Sequence, residues 1–259
     1  MTLNRSLSLL ADGHPVAQGC RIHVKGTHTL SLEPDCFFAE VWNPAEASLS
    51  LLRQAKTLTV ISGTETLATG EIADLVPRTA AEGTVLSVTF ALGLSFWDAA
   101  VSLSVPAGVP VSETVRRLLA NSGCGVSLLS FPGEDPVLAR GQAFHGRAAD
   151  AIQAALSACG GQGYLVPAGL CVLPAGGVPT GLYLSERELL DPPVRIRGGA
   201  FVCRTAPAGW PIGVRTEARL GTEAARGVMT EHAIDADNVS GPWQSEVLLE
   251  EPGRGALWM

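Results

Sequence analysis

The stretch AFHGRAADAIQAALSACGGQGYLVPAGLCVLPAGG, Ala143 to Gly177, decides how this chain reads. It has the pattern of a short helix, a glycine break and two small apolar strands. Glycine-rich turns beside helices often hold phosphate, so the question is whether the stretch binds a ligand or builds a shape. Phosphate sits at helix N-termini, where free N–H groups point outward. Here Gly160-Gly161-Gln162-Gly163 follows the helix. Glycine in that place serves as a left-handed cap. The helix is expected from about Arg147 to Ala158, with Ala148, Ile152, Ala155 and Leu156 as its apolar stripe. YLVP and LCVL, joined by Ala168-Gly169, are expected to form a hairpin. The chain has no G-x-x-x-x-G-K-[ST] motif and no strand–G-x-G-x-x-G–helix unit. The stretch therefore builds shape.

Upstream, Val111 to Leu119 predicts a second helix, with Ser112 as its N-cap and Gly123 as its stop. Val115, Leu118 and Leu119 fall on its apolar face. Gly125 to Phe131 reads as a short strand, followed by the polar loop PGEDPV. Together these pieces make a compact α+β unit. The first hundred residues read as strands. Arg21 to Lys25 alternates polar and apolar residues, Cys36 to Pro44 is a strand ended by Asn-Pro, and Thr84 to Gly93 alternates again. Lys56 to Pro77 reads as two strands around a Gly-Thr-Glu-Thr turn, and Ala45 to Gln54 as a short helix or covering loop. From about Pro193 the strand pattern returns through RIRGGAFVCRT, PIGVRTEARL, GVMTEHAIDAD and PWQSEVLLEE. The expected class is α+β, mainly β. The expected domains are a barrel-like β-domain at residues 1–100, an α+β middle domain at 101–192 and a β-rich domain at 193–259.

Composition narrows the function classes. The chain has 259 residues, 46% hydrophobic and 17% charged, which allows a sizeable core and argues against global disorder. A net charge of -7 argues against wholesale nucleic-acid binding. The start, MTLNRSLSLLADGHP, lacks a signal peptide's continuous apolar core. No run reaches the ~18 apolar residues of a membrane span. This pattern points to a soluble protein made in the cytoplasm. The six cysteines, Cys20, Cys36, Cys124, Cys159, Cys171 and Cys203, include no C-x-x-C pair and are expected as reduced, mostly buried thiols.

Candidate chemistry is sparse. The five histidines, His14, His23, His28, His145 and His232, form neither H-E-x-x-H nor a zinc-spaced set with cysteine. His23 and His28 read as a solvated pair across a Lys-Gly turn, and His145 as a packing or capping residue at a helix start. Asp235-Ala236-Asp237-Asn238 has part of a calcium-loop pattern but lacks its glycine and distal glutamate, so it reads as a turn. The carboxylate pairs Glu186/Glu188 and Glu250-Glu251 lie in polar, exposed contexts. No G-x-S-x-G elbow occurs. No catalytic, cofactor-binding or metal-binding residue is assigned, and no cofactor is expected. Trp42, Trp97, Trp210, Trp243 and Trp258 read as core or interface filler.

One ordered series remains: E-V-W-N (Glu40 to Asn43), T-L-T-V-I-S-G, T-G-E-I (Thr69 to Ile72) and A-G-V-P-V-S-E-T-V-R-R-L-L (Ala107 to Leu119). It continues with F-H-G-R-A-A-D-A-I (Phe144 to Ile152), G-Y-L-V-P-A-G-L-C-V-L-P, E-H-A-I-D-A-D-N (Glu231 to Asn238) and G-P-W-Q-S-E-V (Gly241 to Val247). This order resembles the baseplate hub, or tail hub, proteins of tailed bacteriophages, such as Mu-like hubs and the late control protein D family. There a G-x-P-V-x-x-V-L helix and a G-x-A-x-D-A-L helix flank the middle domain, and a Trp-containing strand closes the fold. The resemblance implies a non-enzymatic structural protein of the virion tail, assembled in the host cytoplasm. It implies two small tail-tube-like β-barrel domains flanking or enclosing the α+β domain. It also implies a homotrimer whose six barrels ring a conduit between a sixfold tail tube and a threefold spike. Its partners would be a tail tube or distal tail protein, a spike protein and, as a further candidate, a tape measure protein. An acidic lumen would let DNA pass without sticking. The chain is shorter than the larger hubs, which implies a missing accessory domain. The late β-region is lean for a complete barrel, so its strands could complete the first. Two rivals stand beside this reading, a receptor- or carbohydrate-binding tail module and a tail-borne cell-wall hydrolase.

Overall fold

The computed structural model describes residues 5–81, 83–174 and 181–250. Its N-terminal part has β1 (Leu7–Ala11), β2 (His14–Val16), β3 (Ile22–Thr29), β4 (Asp35–Trp42), α1 (Glu46–Gln54), β5 (Thr57–Ser62), β6 (Glu65–Ala80) and β7 (Gly83–Leu92). All pair antiparallel in the order β3-β4-β7-β6-β5-β1-β2. Strand β4 shows why: burial alternates strictly along DCFFAEVW, so Phe37, Ala39 and Val41 face inward while Phe38 faces out. The inner faces supply one apolar core, with Leu9, Val24, Phe37, Val60 and Phe90 fully or nearly fully buried. Helix α1 covers this core with Leu52, which settles the helix-or-loop alternative in favour of helix. Asp12-Gly13 makes the two-residue β1–β2 hairpin at φ 46° and 81°. These are the left-handed values that favour Asp-Gly.

The middle part has α2 (Leu94–Trp97), β8 (Ala100–Val105), α3 (Val111–Ser122), β9 (Leu128–Ser130), β10 (Gln142–Arg147), α4 (Ala148–Leu156), β11 (Gln162–Val166) and β12 (Gly169–Leu173). Helices α3 and α4 pack their expected faces together: Val115, Leu118, Leu119, Ala148, Ile152, Ala155 and Leu156 are all buried in a second core. After α4 a short 3₁₀ turn ends at Gly160, φ 64°, so the glycine run is a C-terminal cap as read. The β11–β12 hairpin also forms, Val166 opposite Gly169. Ala175 to Gly177 lie outside the described residues.

The start of α3 differs from expectation. Pro110 occupies the N-cap, and Ser112 sits in the first turn. Its N–H and Oγ donate to the two carboxylate oxygens of Asp135, at 2.9 and 2.6 Å. The capping acceptor thus comes from the PGEDPV loop, because proline has no side-chain oxygen to offer. Asp135→Ala is expected to cost about 1 kcal/mol, seen as a Tm lower by about 2–4 °C in a thermal melt.

The C-terminal part has β13 (Gly181–Leu184), β14 (Val194–Arg195), β15 (Phe201–Thr205), β16 (Arg215–Leu220), β17 (Glu223–Asp237) and β18 (Trp243–Glu250). A third core gathers Leu184, Leu189, Cys203, Ala218, Met229, Val247 and Leu249. Leu184 and Leu189 precede residue 193, and β13 pairs with β16, so this core draws on chain that the sequence reading assigned to the middle. The long strand β17 forks the sheet. Its first half, Glu223–Val228, pairs with β16, and its second half, Glu231–Asp237, pairs with β3. Strand β18 pairs along the other edge of β17 from Val228 to Ala236, mostly its second half. The result is one 13-stranded sheet that joins the N- and C-terminal parts. Ile234 and Ala236 of β17 enter the first core, and Met229 enters the third. The described residues are mainly β, with the longest helix, α3, in the middle.

Candidate assembly surface

The residues singled out in the sequence do not converge on one chemical centre. His23 and His28 both lie within β3, which runs straight through Lys25-Gly26 with no turn. Gly26 is there for space: a Cβ would come 2.3 Å from Phe37 Cδ1. Nor are these histidines a solvated pair. His23 Nε2 lies 2.7 Å from Asp235 Oδ1, and His28 Nδ1 lies 3.1 Å from the buried Asp35 Oδ2. His145 sits in β10, exposed, with Nδ1 3.1 Å from Ser102 Oγ, rather than at a helix start. Among the described residues no carboxylate orients that pair, so it lacks a third catalytic member.

Asp235 and Asp237 belong to β17, and only Asn238 begins the turn. Asp237 holds that turn by accepting the Val239 and Ser240 N–H groups, and it pairs with Arg21 at 2.7 Å. Among the described residues no three His, Cys, Asp or Glu side chains are placed to hold a metal. Glu188 accepts hydrogen bonds from Ser185, which hold its carboxyl below the usual range, and Glu186 is exposed. Glu251 and Trp258 lie outside the described residues. The cysteines are free, but only Cys203 is buried, where desolvation pushes its thiol up to about 11; Cys36 is exposed. "Mostly buried" is thus corrected: the alternation of β4 turns Cys36 outward, beside inward Phe37.

The structure instead brings together an outer sheet face and several open strand edges. Across β17, β3, β4 and β6 runs an ion network: Asp235 to His23, His23 Nδ1 to Glu40 Oε2 at 3.8 Å, and Glu40 to Arg78. Phe38 at 45% and Val76 at 48% exposure lie on the same strands. Strand β5 stops at Thr57, opposite Glu71, so β6 beyond Ile72 has only β7 beside it. That open edge carries Pro77 and Arg78, and the β2 edge carries Pro15. Proline and charge on an edge resist indiscriminate strand addition. At the opposite end of the strand order, Leu190, Val194 and Ile196 are exposed near β14. Half-buried tryptophans stack under arginines, Trp42 with Arg21 at 4.5 Å and Trp97 with Arg147 at 4.3 Å. Such pairs are frequent anchors of protein interfaces. A groove of about 220 Å³ lies between the β5–β6 sheet, Gly93-Ser95 and the β11–β12 turn. Its carboxylate, Glu71, is occupied by the Ser95 N–H and hydroxyl at 3.0 and 2.8 Å.

Among the described residues no helix is long and apolar enough to cross a membrane. No family model and no curated protein sequence matches the chain. Solved structures do share its fold. A tail protein from Neisseria meningitidis MC58 aligns at TM-score 0.70 and 12% identity, over 96% of this chain and 97% of that one. The prophage MuSo2 43 kDa tail protein from Shewanella oneidensis aligns at TM-score 0.70 and 11% identity, over 96% and 98%. The E. coli c3393 protein, a type VI secretion component described as structurally similar to T4 tail proteins gp27 and gp5, aligns at TM-score 0.65 and 11% identity, over 96% and 79%.

Proposed function

We propose that this chain is a structural component of a phage tail or a related injection particle, and within it the hub that joins tube to spike. The observation that carries the reading is the fold likeness to tail proteins over nearly the whole of both chains. The order of sequence motifs from E-V-W-N to G-P-W-Q-S-E-V supports it independently. In this reading the first and third cores mark two tail-tube-like barrels that share the β17–β18 pair. Three copies present six such barrels in a closed ring, a symmetry match between a sixfold tube and a threefold spike. The open β6 edge, the outer ion network and the exposed apolar residues near β14 are the surfaces available to neighbouring copies and to tube, spike and tape measure proteins. The net charge of -7 suits a conduit that DNA passes without binding. The protein then resides in the virion tail after assembly in the host cytoplasm and does no chemistry of its own.

Light scattering on the purified chain tests the hub. The expected mass is three times the 26.9 kDa of one chain. A monomer at all concentrations, together with absence from purified tail particles, overturns the reading. Release of soluble fragments from purified peptidoglycan would replace it with the hydrolase.

A further inference from the structure

Strand β17 passes from the third core into the first at a bulge between Met229 and Glu231, and His232 sits at that crossing. Its direct partner on β3 is His28, and its direct partner on β18 is Val247 of the third core. The two imidazoles stack with centroids 6.0 Å apart and planes 22° apart. Their hydrogen bonding is unequal. His28 Nδ1 lies 3.1 Å from Asp35 Oδ2, and His28 Nε2 lies 3.1 Å from the Leu67 carbonyl oxygen. An ionised carboxylate and a carbonyl are both acceptors, and a neutral imidazole has a single N–H. With Asp35 ionised, the imidazolium is the form of His28 that satisfies both contacts. Asp35 is 4% exposed, and its other oxygen accepts the Thr29 N–H and hydroxyl at 2.9 and 3.0 Å. His232 is fully buried, and among the described residues neither of its ring nitrogens has a partner.

We propose that Asp35, His28 and His232 form an acid-sensitive clasp between the two β parts: His28 is held as an imidazolium on the buried Asp35, His232 stays neutral against it, and acid opens the β3–β17 seam before either core melts. Among the described residues no acceptor lies within hydrogen-bond reach of either His232 ring nitrogen. Strand β4 contributes Asp35, already engaged by His28, and the Phe37 ring 4.7 Å from His28. Strand β6 contributes only the Leu67 carbonyl, which is also engaged. Strand β18 contributes Val247 opposite His232 and the Ser245 hydroxyl two residues away. Glu231 and Glu246 alternate to the other face of the sheet. Burial, then the charge of His28, holds His232 near 3 rather than its ordinary 6.5. A proton that enters must separate the stacked rings, and the bulge at Thr230 marks where the strand can bend.

This inference stands apart from the tail reading and is tested on the full chain. Side-chain ¹⁵N spectra at pH 7 are expected to show both nitrogens of one histidine protonated and a second histidine neutral, assigned through His28→Gln and His232→Phe. Amide exchange protection along β3 and β17, including Leu30 N–H, which donates to Thr230 O, is expected to fall about 100-fold between pH 7.5 and 4.5, two units below the free histidine value. Amides of α4 are expected to hold. His232→Phe should abolish that pH dependence. A neutral His28, or an unchanged pH dependence in His232→Phe, overturns the clasp. Should that variant not fold, the wild-type spectrum decides alone.

Discussion

Phe37→Ala is expected to lose about 3–5 kcal/mol of stability, a large share of what a domain of this kind has. Phe37 is wholly buried, stacks on Phe90 at 5.4 Å between centroids and tilts against His28 at 4.7 Å. Its ring fills the space that Gly26 leaves open on the neighbouring strand. Truncation therefore removes contacts to two strands at once, in a part of the sheet whose backbone is already too close to collapse inward. Denaturant unfolding at neutral pH should show a lower midpoint with an unchanged slope. The control is the next residue. Phe38 is 45% exposed on the opposite face, and Phe38→Ala should stay within about 0.5 kcal/mol. Equal losses at both positions would mean that the alternation in β4 is wrong.

The pH dependence of stability should carry the second large effect, through His232. Its folded value, about 3, lies below its ordinary 6.5. Between these values the unfolded chain binds a proton that the folded chain refuses, so stability rises with pH in that window. The contribution is present in full above pH 6.5 and is lost progressively as pH falls toward 3. Its size is on the order of 5 kcal/mol. Glu231 works in the opposite sense. Burial, then Glu250 and Glu246, raises its carboxyl, which favours the folded state at lower pH. Denaturant midpoints for wild type and His232→Phe across pH 4 to 8 separate the two. The variant should lose most of the acid slope, and parallel curves would remove His232 as its source.

What was legible in the sequence is local. The strand at Cys36 to Pro44, the alternation in Thr84 to Gly93, the apolar faces of α3 and α4, the Gly160 cap and the β11–β12 hairpin each follow from residues within a few positions of one another. Their physical causes act over one helical turn or one pleat. The Asp12-Gly13 hairpin had an equally local signature, which the sequence reading passed over. The misread positions share a different cause. The acceptor that caps α3 is Asp135, 23 residues from the N–H it receives. Asp235 and Asp237 looked like a turn because closely spaced polar residues resemble one, until β3 pairs alongside and Arg21 closes on the buried Asp237. His28 looked solvated because the β3–β4 turn that brings Asp35 back onto it was not read, and His232 lies 204 positions away.

By itself, then, the sequence determined several of the elements, the apolar faces of α3 and α4, and the absence of a recognisable catalytic motif. Tertiary structure alone decided that β17 forks between β16 and β3, that one sheet spans both β parts, and that two histidines 204 positions apart in the chain stack across one seam. Strand pairing is set by the backbone, which is alike in every residue. Which strands find each other therefore depends on the summed burial of all the faces together, and no short stretch carries that sum.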